Sequence, residues 1–358
     1  ENLTIFLSIF LVVGIVLFIR KFLSLLGTLL SPSVLLELTP PASIEKSAYT
    51  TQQLFSVLHS LASNRTIYEK LIGRKEMFSL EITSNQNQGI RYLLRTRKQH
   101  VANVKRSIMS YMPYVSLNVV PDYIPSHIIE HQQIYTVDEY TLGKHYAYPL
   151  KKQDQLEEHD PVAYITGMMT KLSSEELISF QLIISPTKRK EIKSLAKMIL
   201  RNEDILSRLD RKYLINSDSQ LFLPLVMLSK IIQLIGSQIQ WVLIELTRDT
   251  SRKGVSAQSQ YGQSISQSLT KPARVLSTFE EEVITSIHEK IEQSLFETTL
   301  RVLIVMKEKT EVDQRRQGFL ASLATYSHPK LQTIMRKHSF PGELINTIRF
   351  YSFRTRLH

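Results

Sequence analysis

The sequence contains no cysteine and only 11 glycines in 358 residues. The lack of cysteine excludes disulfides, thiol catalysis and cysteine-ligated zinc or iron–sulfur sites, and it fits a reducing compartment. No phosphate-binding loop is present, because the one Gly-Lys pair, Gly143-Lys144, has Asp138 where the loop needs glycine and is followed by His145. The metalloprotease and nucleophile-elbow motifs are also missing. The sequence therefore predicts a protein without catalytic residues or a cofactor.

Charge is missing from one long run near the amino terminus. Leu3–Ile19 holds seventeen uncharged, mostly apolar residues, and Arg20 and Lys21 follow it directly. A helix of this length is about 25 Å long, which is the short end of what crosses a bilayer. A signal peptide and a buried core helix are the alternatives, but Glu1 precedes the run where a signal peptide has basic residues. The run predicts a single-pass anchor in the cytoplasmic (inner) membrane, and Arg20 and Lys21 orient the rest of the chain to the cytoplasm.

Basic residues outnumber acidic ones, 44 against 33, which gives a net charge of +11. One dense cluster consists of Lys188, Arg189, Lys190, Lys193 and Lys197. A second consists of Arg91, Arg95, Arg97, Lys98, Lys105 and Arg106. Three interpretations stay open: a solvated surface, contact with anionic lipid headgroups, and contact with nucleic acid.

The order of patterns along the chain predicts a membrane anchor and an α+β body. Alternating apolar residues predict strands at Met77–Ile82 and Gly89–Thr96, joined as a hairpin, and a helix follows them. The predicted divisions are an anchor (1–30), a linker (31–50), a first α/β plait (51–150), a second α/β region with long helices at 188–246 and a flexible loop at 252–271 (151–347), and a basic lead-out (348–358). Pro121–Lys152 reads as irregular or edge structure. Gln220–Leu246 reads as an amphipathic helix or as a second membrane span.

A weak internal repeat shapes the predicted fold. The segment RYLLRT at Arg91–Thr96, with the helix after it, resembles RVLIVMKEKT at Arg301–Thr310, with its own following helix. Coincidence is the alternative, because the match needs gaps and keeps few identities. A true repeat indicates an α+β fold of ferredoxin-like (split βαβ) repeats with a long helical insertion behind the transmembrane helix.

A histidine pair and two carboxylate clusters are the remaining candidates for metal binding or acid–base catalysis. His127 and His131 are one helical turn apart, but nothing nearby supplies a clear third ligand, so we expect loop histidines rather than a metal site. The carboxylates at Glu157–Asp160 and Glu280–Glu282 precede or begin predicted helices, where anions favour the helix terminus. We therefore predict no catalytic, cofactor-binding or metal-ligating residue.

Several short segments resemble one known family. They are Leu36–Pro41 (LELTPP), Phe55–His59 (FSVLH), Gly73–Ile82 (GRKEMFSLEI) and Gly89–Tyr92 (GIRY). They resemble the amino-terminal region of the conjugative, type IV secretion-like DNA transfer ATPases of Patescibacteria such as Saccharibacteria. The likeness runs from about Val34 to His358, although only these segments are distinctive. The motor motifs of that family are not present in this sequence.

The resemblance implies a non-catalytic membrane-anchoring and assembly module of a DNA transfer ATPase. The partners it implies are the lipid bilayer, an ATPase motor, other secretion-system subunits, DNA, and further copies of the chain. The alternative is a membrane-tethered protein that stands alone and binds anionic lipid or nucleic acid through its basic clusters.

Overall fold

The protein was analysed as a computed structural model. The structure describes residues 14, 19–20, 22–24, 26–41, 49–63, 66–72, 74–125, 134–152, 160–187, 190–200, 204–209, 277–328, 330–337 and 343–357. Several predicted features lie outside these residues: most of Leu3–Ile19, Lys21, His127, His131, Glu157, Glu158, Lys188, Arg189, Gln220–Leu246 and Arg252–Lys271. In the described part of the chain, no helix has the length and apolar character needed to cross a membrane.

Eight strands and eight helices carry the fold of the described residues. The strands are β1 (Ser33–Thr39), β2 (Phe78–Asn85), β3 (Gly89–Arg97), β4 (Ser116–Val120), β5 (Ile134–Leu142), β6 (Leu177–Pro186), β7 (Phe296–Met306) and β8 (Ile334–Arg336). The helices are α1 (Tyr49–Ser63), α2 (Ile67–Ile72), α3 (Val101–Tyr111), α4 (Pro161–Gly167), α5 (Lys190–Leu200), α6 (Thr278–Glu292), α7 (Lys309–Ala324) and α8 (Glu343–Thr355). Residues 22–24 and 26–29 are also helical.

All eight strands form one antiparallel sheet in the order β4-β1-β3-β2-β6-β7-β5-β8. The first half runs β1-α1-β2-β3-α3-β4, with α2 as an additional helix before β2. The second half runs β5-α4-β6-β7-α7-β8, with α5 and α6 as additional helices between β6 and β7. In each half the fourth, first, third and second strands lie side by side. The halves join where β2 pairs with β6, from Phe78↔Ile184 to Asn85↔Leu177. The α+β class is therefore confirmed. The predicted region 51–150 contributes β2 to β5 and the region 151–347 contributes β6 to β8, whereas the prediction of a linker at 31–50 is wrong because this segment contains β1.

One face of the sheet is apolar and covered by helices. In the first half, Leu36, Phe78 and Leu94 pack with Val104 and Ile108 of α3 and with Leu58 of α1. A second cluster continues the core in the other half. Its buried members include Ile178, Val302, Ile304, Ile165 of α4 and Phe319 of α7. Alternation along each strand directs these side chains to the same face, as the strand period of two requires.

The opposite face carries a row of six residues, five of them polar, that crosses six strands at the middle of the sheet. Cross-strand pairs place its members next to one another in the order Glu37, Leu93, Glu81, Gln181, Arg301 and Glu139. Glu81 and Gln181 meet at the junction of the two halves. Glu81, Gln181 and Arg301 are buried. Burial of such groups is costly unless each has a partner, so this row needs a polar cover.

Helix α8 and residues 121–125 supply that cover. Phe350 and Phe353 of α8 are buried against Val137, Leu177 and Leu303 at one end of this face. Ile124 and Tyr123 join the same cluster. The prediction of a basic lead-out at 348–358 is therefore wrong in structural terms, because the two phenylalanines anchor the segment in a core.

The segment Pro121–Lys152 also differs from its prediction as irregular or edge structure. It contains β5, a nine-residue strand that pairs with β7 on one side and β8 on the other. The sequence of β5, IYTVDEYTL, places Asp138 and Glu139 in the middle of the strand. Two adjacent carboxylates obscure the apolar alternation from which strands are recognised.

The described residues fall into two compact units. The first contains the sheet and its covering helices. The second comprises Lys144–Ala147 and Glu191–His288. Within it, Leu195 and Met198 of α5 are buried, whereas Lys197 is exposed. Of the long helices predicted at 188–246, the structure describes α5 and a short helix at 205–209.

Candidate functional site

The first candidate site is a hydrogen-bonded cluster of buried side chains around Arg356, just after α8. Its guanidinium donates from Nε and Nη2 to the two oxygens of Glu81, at 3.0 and 3.1 Å. It also donates from Nη2 and Nη1 to the two oxygens of Asp122, at 3.0 and 2.5 Å. A fifth bond runs from Nη1 to the carbonyl of Arg354 at 2.7 Å. All five N–H donors of the guanidinium are thus used, which stabilises a cation that is almost fully buried.

Glu81 is the acceptor at the centre of this cluster. Its side chain has no exposed surface. Besides Arg356, it accepts from the hydroxyl of Ser79 at 2.6 Å and from Nε2 of Gln181 at 3.3 Å. Next to Glu81, the hydroxyls of Tyr123 and Ser179 are hydrogen-bonded to each other at 2.6 Å. These partners compensate for the loss of water around the carboxylate.

The end of α8 is held in an unusual backbone conformation. Arg356 has a φ of 54°, in the left-handed region that glycine normally occupies. The N–H of Arg356 donates to the carbonyl of Phe353, and the N–H of Leu357 donates to the carbonyl of Ser352, both at 3.1 Å. This is the Schellman pattern of helix ends, with arginine in place of glycine. Arg301 from β7 donates to the carbonyls of Ser352 and Leu357, so a cation also stabilises the helix carboxyl end.

This cluster of polar side chains is suited to holding α8 and residues 121–125 on the sheet rather than to proton transfer. Burial raises the pKa of the Tyr123 hydroxyl well above its usual value. Although burial opposes it, the bond to Arg356 lowers the pKa of Asp122 overall. The carboxylates Glu81 and Asp122 together raise the pKa of Arg356 despite its burial. The pKa values of these three groups therefore move away from neutrality, opposite to what general acid–base work requires.

A second candidate lies where the amino-terminal helical residues meet α2. We call it the junction site and define it by Leu23, Leu26, Leu30, Tyr68, Ile72, Arg74 and Arg97. These residues line a cavity of about 520 Å³. Leu30 and Tyr68 expose 74% and 70% of their surface, and the neighbouring Ile67 exposes 85%. A concentration of large exposed apolar side chains at one place indicates an interaction surface.

Charged groups form the polar side of the junction site. Thr66 and Glu69 make a capping box, in which each backbone N–H donates to the other side chain, at 3.0 and 3.3 Å. This fixes Glu69 beside Arg97, whose Nη1 lies 3.3 Å from Glu69 and 2.6 Å from Oε2 of the buried Glu76. Arg74 donates to the hydroxyl of Ser31. Two guanidinium groups thus face two carboxylates at the polar side of an apolar cavity.

The charge of the junction site changes near neutral pH. Burial raises the pKa of Glu76 to about 7, although Arg97 opposes this. Burial and the charge of Arg97 lower the pKa of His100, whose Nε2 lies 3.6 Å from Glu76. As Glu76 is protonated, the two arginines face one carboxylate charge instead of two. The junction site is therefore more cationic below about pH 7.

The structure distributes the predicted site residues unevenly. Arg20 is exposed, as is Lys197, whereas the side chains of Lys190 and Lys193 lie outside the described residues. Glu280 lies in the first turn of α6, where it forms a capping box with Ser277. Within the described residues, no group of three or more His, Asp or Glu side chains could hold a metal ion.

The second basic cluster is largely engaged inside the first unit. Arg91 donates to both oxygens of Glu37 at 2.7 and 2.9 Å, and Arg97 pairs with Glu69 and Glu76. Arg95 bonds the hydroxyl of Ser33 at 2.8 Å, and desolvation lowers its pKa. Three arginines that looked like a cationic surface therefore lie on the polar face of the sheet. Arg106 and Lys98 are exposed.

The residues around Arg356 were missed by sequence reasoning. Arg356 and Glu81 are 275 positions apart, and although Glu81 lies in the segment Gly73–Ile82, nothing in the sequence connects the two residues. Their burial in the folded chain is what identifies them as a site. An arginine two or three residues beyond an apolar helix stripe is ordinarily a surface residue.

Fold and site together define the class of the protein as an α+β protein built on one eight-stranded antiparallel sheet, with one apolar and one polar buried face. The profile of a domain of unknown function, DUF8128, matches residues 31–351. The chain belongs to this family, and the match includes all eight strands. No curated protein and no solved structure matches the chain.

Proposed function

We propose that the chain is a non-catalytic module that anchors an assembly to the cytoplasmic membrane and meets its inner surface through the junction site. The observation that carries this proposal is the junction site itself. Exposed leucines at residues 22–30 follow the apolar run Leu3–Ile19 and the cations Arg20 and Lys21 directly in the sequence. Some of them line one cavity together with Tyr68, Arg74 and Arg97. Apolar side chains next to cations are what an anionic membrane surface binds.

The fold gives this proposal a structural basis. We propose that each half of the sheet is a ferredoxin-like, split βαβ unit and that the halves are repeats. The element order and the strand order of each half support this. The matched segments Arg91–Thr96 and Arg301–Thr310 begin in β3 and β7, the third strands of their halves. Such a body offers a rigid platform for assembly.

Membrane attachment is tested with the full chain expressed in bacterial cells. We expect it to remain in the membrane pellet after alkaline carbonate washing. Protease is expected to digest the body in inside-out vesicles but not in intact spheroplasts. Recovery in the supernatant, or digestion from outside, would contradict the proposal.

Surface contact is tested separately at the junction site. In full-length protein reconstituted in nanodiscs, Ile67→Glu should increase deuterium uptake in α2, because the charge no longer enters the interface. Met109→Glu, at another exposed apolar position, on α3, is the control. Equal responses of α2 to both variants would argue against contact at this site.

The resemblance to DNA transfer ATPases suggests the partner. We propose that the module serves an ATPase motor of the conjugative, type IV secretion-like kind and other subunits of that machine. A motor of this type, encoded in the same genome, is expected to co-purify with the full chain in detergent. Failure of the two purified proteins to associate at micromolar concentration would remove this part of the proposal without affecting membrane attachment.

A further inference from the structure

The strand β4 forms one edge of the sheet. It pairs with β1 on one side, from Leu35↔Val120 to Thr39↔Ser116. Among the described residues, no strand pairs with its other side. The backbone N–H and C=O groups on that side are thus available for a further strand.

Between Pro113 and Pro121, this edge carries none of the side chains that normally prevent pairing with another chain. Residues 114–120, YVSLNVV, contain no charge, proline or glycine. Tyr114 and Val119 expose 77% and 61% of their surface, and Met109 on the preceding helix exposes 56%. Edge strands of soluble proteins usually carry lysine, proline or an inward charge, because a flat uncharged edge is a template for association.

The opposite edge of the same sheet shows the contrast. There β8 has only three residues, and Arg336 and Lys337 stand at its end. Lys337 is engaged with Glu139 of the neighbouring strand. A short edge with cations at its end is protected against pairing. The two edges of one sheet therefore differ in the feature that decides whether a strand can be added.

We propose that β4 pairs antiparallel with β4 of a second copy of this chain. The charge distribution favours a second copy over other occupants. Residues 114–120 carry no charge, so this edge favours a partner strand that is itself uncharged and apolar, and β4 of a second copy is such a strand. A strongly charged partner would find no complementary charge along this strand.

The pairing has a simple geometry. A two-fold axis through Asn118 places Asn118 opposite its counterpart and Ser116 opposite Val120 of the second copy. No like charges meet in this register, and the pairing has the same antiparallel sense as every other pair in the sheet. Both copies then share one continuous sheet. The inference is independent of membrane attachment and of any motor.

The absence of cysteine allows a direct test on the full chain in detergent micelles. Directly opposite residues in an antiparallel pair have Cα atoms about 4.5–5.5 Å apart. Asn118→Cys, the only thiol in the protein, should therefore link two chains efficiently through a short bismaleimide. Asn103→Cys, an exposed position on α3, should not. Equal linking of both variants, or none in either, would overturn the proposal.

A charge test distinguishes this interface from association through other segments. Asn118→Lys should raise the dissociation constant of the dimer by roughly tenfold or more, because like charges then face each other. An equimolar mixture of Asn118→Lys and Asn118→Glu chains should restore dimers containing one copy of each, as measured by native mass spectrometry. Asn103→Lys is the control and should leave the dimer unchanged.

Two results would refute the interface. One is a monomeric wild-type chain at micromolar concentration. The other is a dimer that survives Asn118→Lys unchanged, because association would then use another surface. Asn118 is exposed, so both variants should keep the fold, and unchanged thermal unfolding checks this.

Discussion

At the scale of single residues, Glu76 makes stability depend on pH. Its pKa rises from 4.5 to about 7 in the folded chain because the carboxyl is buried. The folded state therefore holds a proton between these values that the unfolded state has lost. The free energy of unfolding should fall as the pH rises from about 4.5 to about 7 and then level off, by at most about 3 kcal/mol.

Denaturant titrations across this pH range measure the effect. Glu76→Gln should remove the slope, since glutamine cannot ionise. Glu311→Gln, on the exposed first turn of α7, is the control and should keep it. A slope that persists in Glu76→Gln would assign the titration to another group.

Arg356 combines a buried charge with a left-handed backbone, and two variants separate these contributions. Arg356→Ala leaves Glu81 and Asp122 without their cation and should lower the free energy of unfolding by about 3–5 kcal/mol. Arg356→Gly loses the same contacts but relieves the positive φ, so it should be more stable than Arg356→Ala by about 1 kcal/mol.

The informative result is which of these two variants has the higher free energy of unfolding, because a glycine substitution in a helix normally destabilises a protein more than an alanine substitution does. Arg354→Ala takes a cation from the same helix without depriving Glu81 or Asp122, and it should cost less than about 1 kcal/mol. Urea denaturation of the four proteins in one detergent gives the comparison. A more stable Arg356→Ala than Arg356→Gly would contradict the argument from backbone strain.

At the scale of elements, α8 is a structural part of the sheet. Phe353 has no exposed surface and packs with Val137 and Leu303. Phe353→Ala should cost about 3–5 kcal/mol of unfolding free energy. Tyr351→Ala, on the exposed side of the same helix, should be nearly neutral. Thermal and denaturant unfolding distinguish the two, and a small effect of Phe353→Ala would mean that α8 is loosely attached.

Elements with a clear local pattern were predictable from the sequence, whereas those fixed by distant contacts were not. The hairpin of β2 and β3 follows from alternation and from Gly89, whose φ of 64° suits the turn. The strand β7 follows from its long apolar run. The residues Thr96 to Gln99 match a capping-box pattern and would predict a helix start at Thr96, but β3 continues to Arg97 and Thr96 is buried within it. At Thr96, strand pairing in the sheet therefore determines the structure, and the local preference for a helix start does not.

At the scale of the whole molecule, the two halves should unfold together. The first core cluster includes Ile184 from β6, so it already contains a side chain of the second half. Native-state hydrogen exchange should therefore give similar opening free energies for the amides of β2 and β6. Phe78→Ala should lower both by a similar amount. Selective loss of protection in β2 alone would show that the halves open independently.

The α+β class could be predicted because helix and strand periodicities alternate along the chain, whereas the joining of both halves into one sheet could not. That joining depends on the pairing of β2 with β6, and no local signal specifies the partner of a strand. The junction site was partly foreseeable from the apolar residues after Arg20. Its polar side required the fold, because Glu69 lies in α2, Arg74 between α2 and β2, and Arg97 at the end of β3.

The separation of Glu81 from Arg356 has a consequence for biosynthesis. At translation rates of about 5–20 residues per second, the ribosome adds the 275 intervening residues in roughly 14–55 s. For that time the nascent β2 carries a carboxylate whose counter-ion does not yet exist. Completion of the sheet is thus tied to the emergence of α8 from the exit tunnel, and until then the unfinished chain presents a polar surface that a chaperone could hold.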